Sequence, residues 1–362
     1  MISLFKVFMS PDVSDFILPV LHSGYVGEGE KSKLFEKKIG EYLKNENVVL
    51  VNSGTSALTM SLKLAGVGPG DEVISTPMTC LATNMAILSL GAKPVWADVL
   101  PNGTIDPMDV ERKMQKKKAI MCMDWGGLPC RLDELMKIGK TYGVPVIEDA
   151  CQAMGAVYDS RPVGSGADFV AFSFQSIKSL TSIDGGALVI NGNSSLVEKA
   201  KMMRWFGLDR NSGADMRCNQ DPPISGYKWQ TNDVLSSIGL ANLRHLPKIL
   251  EKTRCHASLY DLQLGEFAIC KSQTRTQSSY WLYTIYMADV DHFISYMREN
   301  NVECSRVHDR NDTKTVFKDS MAKLPGVDLF DKHHVCIPVG WWLSEDDVEK
   351  IISLIKTYVR KN

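Results

Sequence analysis

Two short apolar runs in the 362-residue chain end in groups that could do chemistry together. Val146-Ile147-Glu148-Asp149 reads as a buried strand that delivers a carboxyl at its end, followed by Ala150-Cys151-Gln152. Phe169-Val170-Ala171-Phe172 reads as a second buried strand, and Ser173, Gln175 and Lys178 follow in quick succession. In open α/β sheets, ligands sit outside the carboxyl ends of the parallel strands. An amine and an acid delivered there suit a cofactor that takes a lysine Schiff base and an acidic partner on its ring nitrogen, as pyridoxal 5′-phosphate (PLP) does.

A third segment complements them. Val48-Val49-Leu50-Val51 reads as a strand that turns into a helix through Asn52-Ser53-Gly54-Thr55-Ser56. The free backbone N–H groups of a helix start, with a glycine allowing close approach, suit a phosphate. Taken alone, the same residues read as an ordinary N-cap by Ser53 or Thr55. Taken alone, too, Lys178 is a surface lysine and Asp149 a strand-end cap; the ordered set is what carries the chemical reading. Ser173 and Gln175 share one face of their strand by its period of two, so both could reach the same phosphate.

The set resembles the DegT/DnrJ/EryC1/StrS family of PLP-dependent sugar aminotransferases. The resemblance is carried by Asp149-Ala150-Cys151-Gln152, by Phe172-Ser173-Phe174-Gln175-Ser176-Ile177-Lys178 and by Asp184-Gly185-Gly186. It implies a fold type I homodimer in which Lys178 and Asp149 are catalytic. Lys178 would hold the cofactor and move the proton, while Asp149 would pair with the pyridine nitrogen. Gln152 would lie beside the ring hydroxyl. Gly54, Thr55, Ser56, Ser173 and Gln175 would surround the phosphate. Cys80 stands where the family usually stacks an aromatic residue on the ring. Gln230, in Gly226-Tyr227-Lys228-Trp229-Gln230, stands where the family usually sends an asparagine into the partner's site.

Tyr25 in His22-Ser23-Gly24-Tyr25, and His308 and Arg310 in the segment Cys304 to Asp312, are candidate substrate ligands. The plain reading of the second segment is a solvated polar loop. The reaction implied is transfer of an amino group from L-glutamate to a nucleotide-linked keto-sugar, a 4-keto-6-deoxy sugar, for deoxyamino-sugar or surface polysaccharide biosynthesis. A same-fold enzyme acting on a free keto-sugar, a keto-sugar acid or a keto-inositol is the alternative, and a non-catalytic PLP-binding regulatory homologue is another. Relatives that dehydrate sugars at C3 carry histidine at the lysine position, so Lys178 points to amino transfer.

These residues need a scaffold of alternating strands and helices, and the chain predicts one. Residues 1–248 read as a large domain with an irregular arm at 1–30 and a mostly parallel central sheet flanked by helices. Residues 249–362 read as a smaller α+β domain. Gly66-Val67-Gly68-Pro69-Gly70 follows a helix rather than a strand, so it is a helix stop and not a dinucleotide loop. Helices are predicted over Leu81–Leu90 and Pro107–Lys117, from a capping box Ser195–Glu198 toward Gly207, and from Asp233 toward Leu246. The loop Leu208–Pro223 is long enough to be functional. A strand pair is predicted between Trp281–Met287 and Val302–Val307, and a final helix opens at Ser344-Glu345-Asp346-Asp347.

The bulk numbers set limits. Hydrophobic content is 44% and the net charge is −1 with no basic stripe, so neither nucleic acid nor an anionic membrane is an expected partner. Lys116-Lys117-Lys118 reads as a solvated helix end. Nine cysteines include no C-x-x-C pair, which fits free thiols in a reducing cytosol, and no metal site is expected. The charged start lacks a signal peptide, and no apolar run approaches the ~20 residues needed to cross a bilayer. A soluble cytoplasmic protein is expected.

Overall fold

In the computed structural model, which describes residues 1–210 and 219–361, the apolar runs of the first half assemble into a seven-stranded sheet. Helices α1 (Val13–Leu21) and α2 (Glu30–Leu43) lead into β1 (Val48–Val51) and α3 (Gly54–Leu64). The alternation continues through β2 (Glu72–Ser75), α4 (Leu81–Leu88), β3 (Lys93–Trp96), α5 (Pro107–Arg112), β4 (Ala119–Met123), α6 (Leu132–Tyr142) and β5 (Val146–Asp149). Two-residue strands β6 (Val157–Tyr158) and β7 (Arg161–Pro162) precede β8 (Phe169–Ser173), β9 (Gly186–Ile190) and α7 (Ser194–Met203). The C-terminal part comprises α8 (Asp233–Leu243), α9 (Leu246–Gln263), β10 (Thr276–Gln277), β11 (Tyr283–Tyr286), α10 (Val290–Glu299), α11 (Pro325–His333), β12 (His334–Ile337) and α12 (Glu345–Lys361).

The large sheet has the order β1-β9-β8-β5-β4-β2-β3, and every strand runs in one direction except β9, which is antiparallel to both neighbours. The mostly parallel sheet is therefore present, with one reversal after the Asp184-Gly185-Gly186 turn. Gly185 sits there at φ +136°, a backbone region that a side chain would strain. Strands covered on both faces read as continuous apolar runs rather than alternating ones. Accordingly, Val170 and Phe172 pack on one side with Phe35, Ile39 and Leu43, while Phe169 and Ala171 pack on the other with Leu58 and Leu62. A separate apolar core joins Tyr260, Phe293, Met297, Ile351 and Ile355 around β11 and β12.

Several local expectations are corrected. The N-terminal arm is not irregular throughout, because α1 forms within it despite Pro19 and packs against α8. The predicted helix from Pro107 stops at Arg112 rather than Lys117; the following residues form turns, and Lys116 adopts φ +56°. The helix starting at Leu81 ends at Leu88. The cap of α7 is Asn193, not Ser195: its Oδ1 accepts from both the N–H and the hydroxyl of Ser195, which already lies inside the helix. The helix predicted toward Leu246 divides instead into α8 and α9, with Pro247 in the first turn of the second. The strand pair is also different. β11 pairs with β12, while Val302 bridges Ile2 and Ser305 bridges Cys336. The capping box at Ser344 is present: Asp347 N–H donates to Ser344 Oγ, and its carboxyl accepts the Ser344 N–H. Of the loop Leu208–Pro223, residues 211–218 lie outside the described residues.

One buried acid ties the arm to the large sheet's helices. Asp233 Oδ1 accepts the N–H groups of Gly29 and Ser32 at 2.8 and 2.9 Å and the Ser32 hydroxyl at 2.7 Å. Its Oδ2 accepts the Lys31 N–H at 3.2 Å, so the first turn of α2 ends on a side chain of α8. Helix starts leave such N–H groups without intrahelical partners. Replacing Asp233 with alanine strands several buried donors at once and should lower unfolding free energy by about 3 kcal/mol. Urea denaturation of the variant measures this, and an unchanged midpoint would show that water replaces the carboxylate.

Candidate active site

Parallel pairing of β5 with β8 places Asp149 opposite Ala171, so both strands end on the same edge of the sheet. A cavity of 630 Å³ opens at that edge. Gly54, Thr55, Cys80, Asp149, Gln152, Ser173, Gln175, Lys178 and His308 all line it. The sequence placed these residues together, and the fold does bring them together.

Asp149 is buried, and its two oxygens are held separately. Thr83 Oγ1, on α4, donates to Oδ2 at 2.6 Å, and the Cys151 N–H donates to Oδ1 at 3.1 Å. Lys178 follows a tight turn in which its N–H donates to Gln175 O at 2.9 Å. Burial pushes the Lys178 amine below the usual lysine range, against the opposing pull of the Cys151, Cys80 and Asp149 side chains. An amine so lowered has more of its neutral, nucleophilic form near neutral pH.

Gln152 is oriented from both ends. Its Oε1 accepts the Gly126 N–H at 2.7 Å, so its Nε2 faces His308 Nε2 at 2.8 Å. An amide nitrogen only donates, so the imidazole must accept there and be neutral. Burial, helped by the charges of Lys178 and His334, accordingly pushes His308 down to about 3. Gly54 explains the close approach of α3 to the strand ends. A Cβ built on it would lie 2.8 Å from Cys151 Sγ and 2.9 Å from Ser173 Cβ. The first turn of α3 and its N-terminal dipole thus abut the cavity.

Three proposed ligands are placed otherwise. Ser56 does not line the cavity: its N–H is taken by Ser53 Oγ and its hydroxyl donates to Asn52 Oδ1 at 2.7 Å. Arg310 is bound by Asp312 and Asp328 instead of facing the cavity. Tyr25 is half exposed on a different cavity and donates to Glu28 O. Gln230, expected in the partner's site, does not line this chain's own cavity, and its Oε1 is buried without a hydrogen-bond partner among the described residues. Conversely, Phe5 from the arm and Trp281 from the C-terminal part line the site although no local motif marks them. Thr83 lies four residues after Thr79, which precedes α4 and whose hydroxyl is bonded to it at 2.9 Å.

A family model described as the DegT/DnrJ/EryC1/StrS aminotransferase family matches residues 11–356. The chain belongs to that family. Like its members, the protein is a PLP-dependent sugar aminotransferase. It is 33% identical over 278 residues to a UDP-4-amino-4,6-dideoxy-N-acetyl-beta-L-altrosamine transaminase of Campylobacter jejuni, a match covering 75% of this chain and 72% of that one. The crystal structure of the sugar aminotransferase CalS13 from Micromonospora echinospora superposes with a TM-score of 0.94 at 33% identity, covering 99% of this chain and 100% of the other. The putative sugar aminotransferase Spr1654 from Streptococcus pneumoniae, in its PMP form, shares the fold at a TM-score of 0.93 and 24% identity, with full coverage of both chains.

The residues present fit PLP. A desolvated lysine amine, a buried carboxyl on the neighbouring strand end and the start of α3 share one cavity, whose volume is typical of a small-molecule site. The family's ring-stacking aromatic is absent at Cys80. The aromatic rings lining the cavity among the described residues are those of Phe5, Trp281 and His308.

The two thiols of the site should be inert. Burial pushes both Cys80 and Cys151 up from the ordinary thiol range, and the nearby Asp149 acts in the same direction. Cys255 is exposed. Alkylation of the native protein at pH 8 should therefore modify Cys255 at least roughly ten-fold faster than Cys80 or Cys151, a difference that disappears in denaturant. Peptide mass spectrometry reads the rates, and equal native rates would mean that the cavity is open to solvent.

Proposed function

We propose that the protein transfers the amino group of L-glutamate to a nucleotide-linked keto-sugar, a 4-keto-6-deoxy hexose, as a homodimer. The observation that carries the reading is the lowered, buried amine of Lys178 in one cavity with the strand-end carboxyl of Asp149. PLP, when bound, supplies the electron sink that lets an amino group pass between donor and acceptor. The remaining work falls to the chain. Lys178 would hold the cofactor and accept or give a proton at Nζ. Asp149, held by Thr83 and the Cys151 N–H, would partner the ring nitrogen. Gln152, aimed by Gly126 and His308, would border the ring hydroxyl. Thr55, Ser173 and Gln175, at the start of α3 and just after β8, would hold the phosphate, with Gly54 allowing the approach.

The nucleotide-sugar assignment is supported by the named activity of the Campylobacter relative, a UDP-sugar transaminase. The homodimer is supported by the apolar surface of the N-terminal segments. Val7, Met9, Leu18, Leu21, Tyr25, Val26 and Leu34 leave the arm, α1 and α2 with outward apolar surface. Tyr25 and Gln230 would then serve the partner's site. No helix among the described residues is long and apolar enough to cross a membrane.

The deciding experiment follows the visible absorption of the PLP-loaded enzyme. Adding L-glutamate should bleach the long-wavelength band of the lysine-bound cofactor, and a UDP- or dTDP-linked 4-keto-6-deoxy sugar should restore it. Recovery with a free keto-sugar but not with the nucleotide sugar would overturn the substrate reading; no bleaching would overturn the donor. In Lys178→Ala, turnover should fall by roughly 10³-fold or more. The melting temperature of that variant should hold or rise, since a buried amine costs folding energy. Normal turnover would remove Lys178 from the mechanism.

A further inference from the structure

The cofactor chemistry leaves a physical problem at Lys178. Each turnover would free its amine from the cofactor, into a cavity shared with Asp149 and Cys151 from the end of β5, Cys80 from the turn before α4, and His308 from the 302–312 segment. An ion pair with Asp149 would hold the proton on the amine and draw the carboxylate off the ring nitrogen. The structure shows a different partner. Lys178 Nζ lies over the indole of Trp281, 3.8 Å from the ring centroid. An aromatic face attracts a cation yet has no lone pair with which to take its proton.

Trp281 grips the lysine at a second point. Its Nε1–H donates to Ile177 O at 2.9 Å, the carbonyl immediately before Lys178. Two further rings hold the indole in place. Phe5 of the arm stacks on it with centroids 5.1 Å apart at 27°, and His308 lies 6.2 Å away at 23°. Its neighbour Leu282 donates its N–H to Gly126 O, in the same loop whose N–H aims Gln152. The C-terminal part of the chain thereby reaches across to the turn that carries the reacting amine.

We propose that Trp281 is a positioning residue for Lys178, its N–H fixing the turn and its ring face parking the freed ammonium clear of Asp149. The proposal rests on the reading of Lys178 as the reacting amine, and the cofactor-free protein tests it apart from that reading. The pH dependence of acylation at Lys178, read by peptide mass spectrometry, gives the midpoint of its protonation. Losing the ring face removes a stabiliser of the protonated form, so Trp281→Leu should move that midpoint down by about one pH unit. Trp281→Phe, which keeps a face, should shift it by less than half as much. Hydrogen exchange of the 176–181 segment should quicken in both variants, because both lose the bond to Ile177 O. A structural role alone would alter exchange without moving the midpoint in this ring-dependent order.

An unshifted or raised midpoint in Trp281→Leu would overturn the parking role and leave the site reading standing. Normal turnover of the PLP-loaded Lys178→Ala variant would overturn both. If Trp281→Leu does not fold, Trp281→Phe still decides the anchoring role, since unchanged exchange in that variant would overturn it.

Discussion

Parallel pairing of β5 with β8 is the constraint on which the active site depends. The register Asp149↔Ala171 puts a carboxyl and the Ser173–Lys178 turn on one sheet edge, within a cavity that neither strand could form alone. A slip of one residue would turn every side chain of a strand to the opposite face. Here that slip would also drive Val170 and Phe172 out of the core they share with Phe35 and Ile39. Hydrophobic packing on both faces of the sheet therefore enforces the chemistry at its edge. The reversed strand β9 completes the arrangement by pairing with β8 along its full length and returning the chain beneath the start of α3.

Burial is what makes these groups useful, and it carries a cost that the fold answers locally. The carboxyl of Asp149 has donors on both oxygens, and the amide of Gln152 has partners at both ends. The amine of Lys178 has an aromatic face in place of a hydrogen-bond acceptor. Deeper in the sheet, Glu148 and Asp124 are fully buried, and burial raises both, Asp124 to about 7. Protonation is the cheaper answer for a carboxyl buried without a cation. Glu148 points away from the cavity by strand alternation.

The legible parts of the sequence were those whose meaning is local. The apolar runs ending in Asp149 and Ser173 gave away their strands, and the helix start at Gly54 gave away its turn. Where the prediction failed, a longer-range partner had intervened. The segment Val302–Val307 has strand-like residues, but His334–Ile337 takes the ladder with β11. Arg310 looked available for a diphosphate until Asp312 and Asp328 closed on it. The N-terminal arm was expected to be irregular, yet packing against α8 makes Val13–Leu21 helical despite Pro19.

The sequence by itself determined the alternating α/β order, the two strand ends that carry Asp149 and Lys178, and, through the motif resemblance, the family. The element order and the strand ends reside in periodicity and spacing, which short stretches of chain express without help. Tertiary structure alone decided that Phe5 and Trp281, nearly three hundred residues apart, wall the same cavity, that His308 enters it neutral while Arg310 stays outside, and that Ser56 turns away. Such contacts depend on which distant surfaces the hydrophobic cores bring together and on the desolvation they impose, and neither quantity is written in any local run of residues.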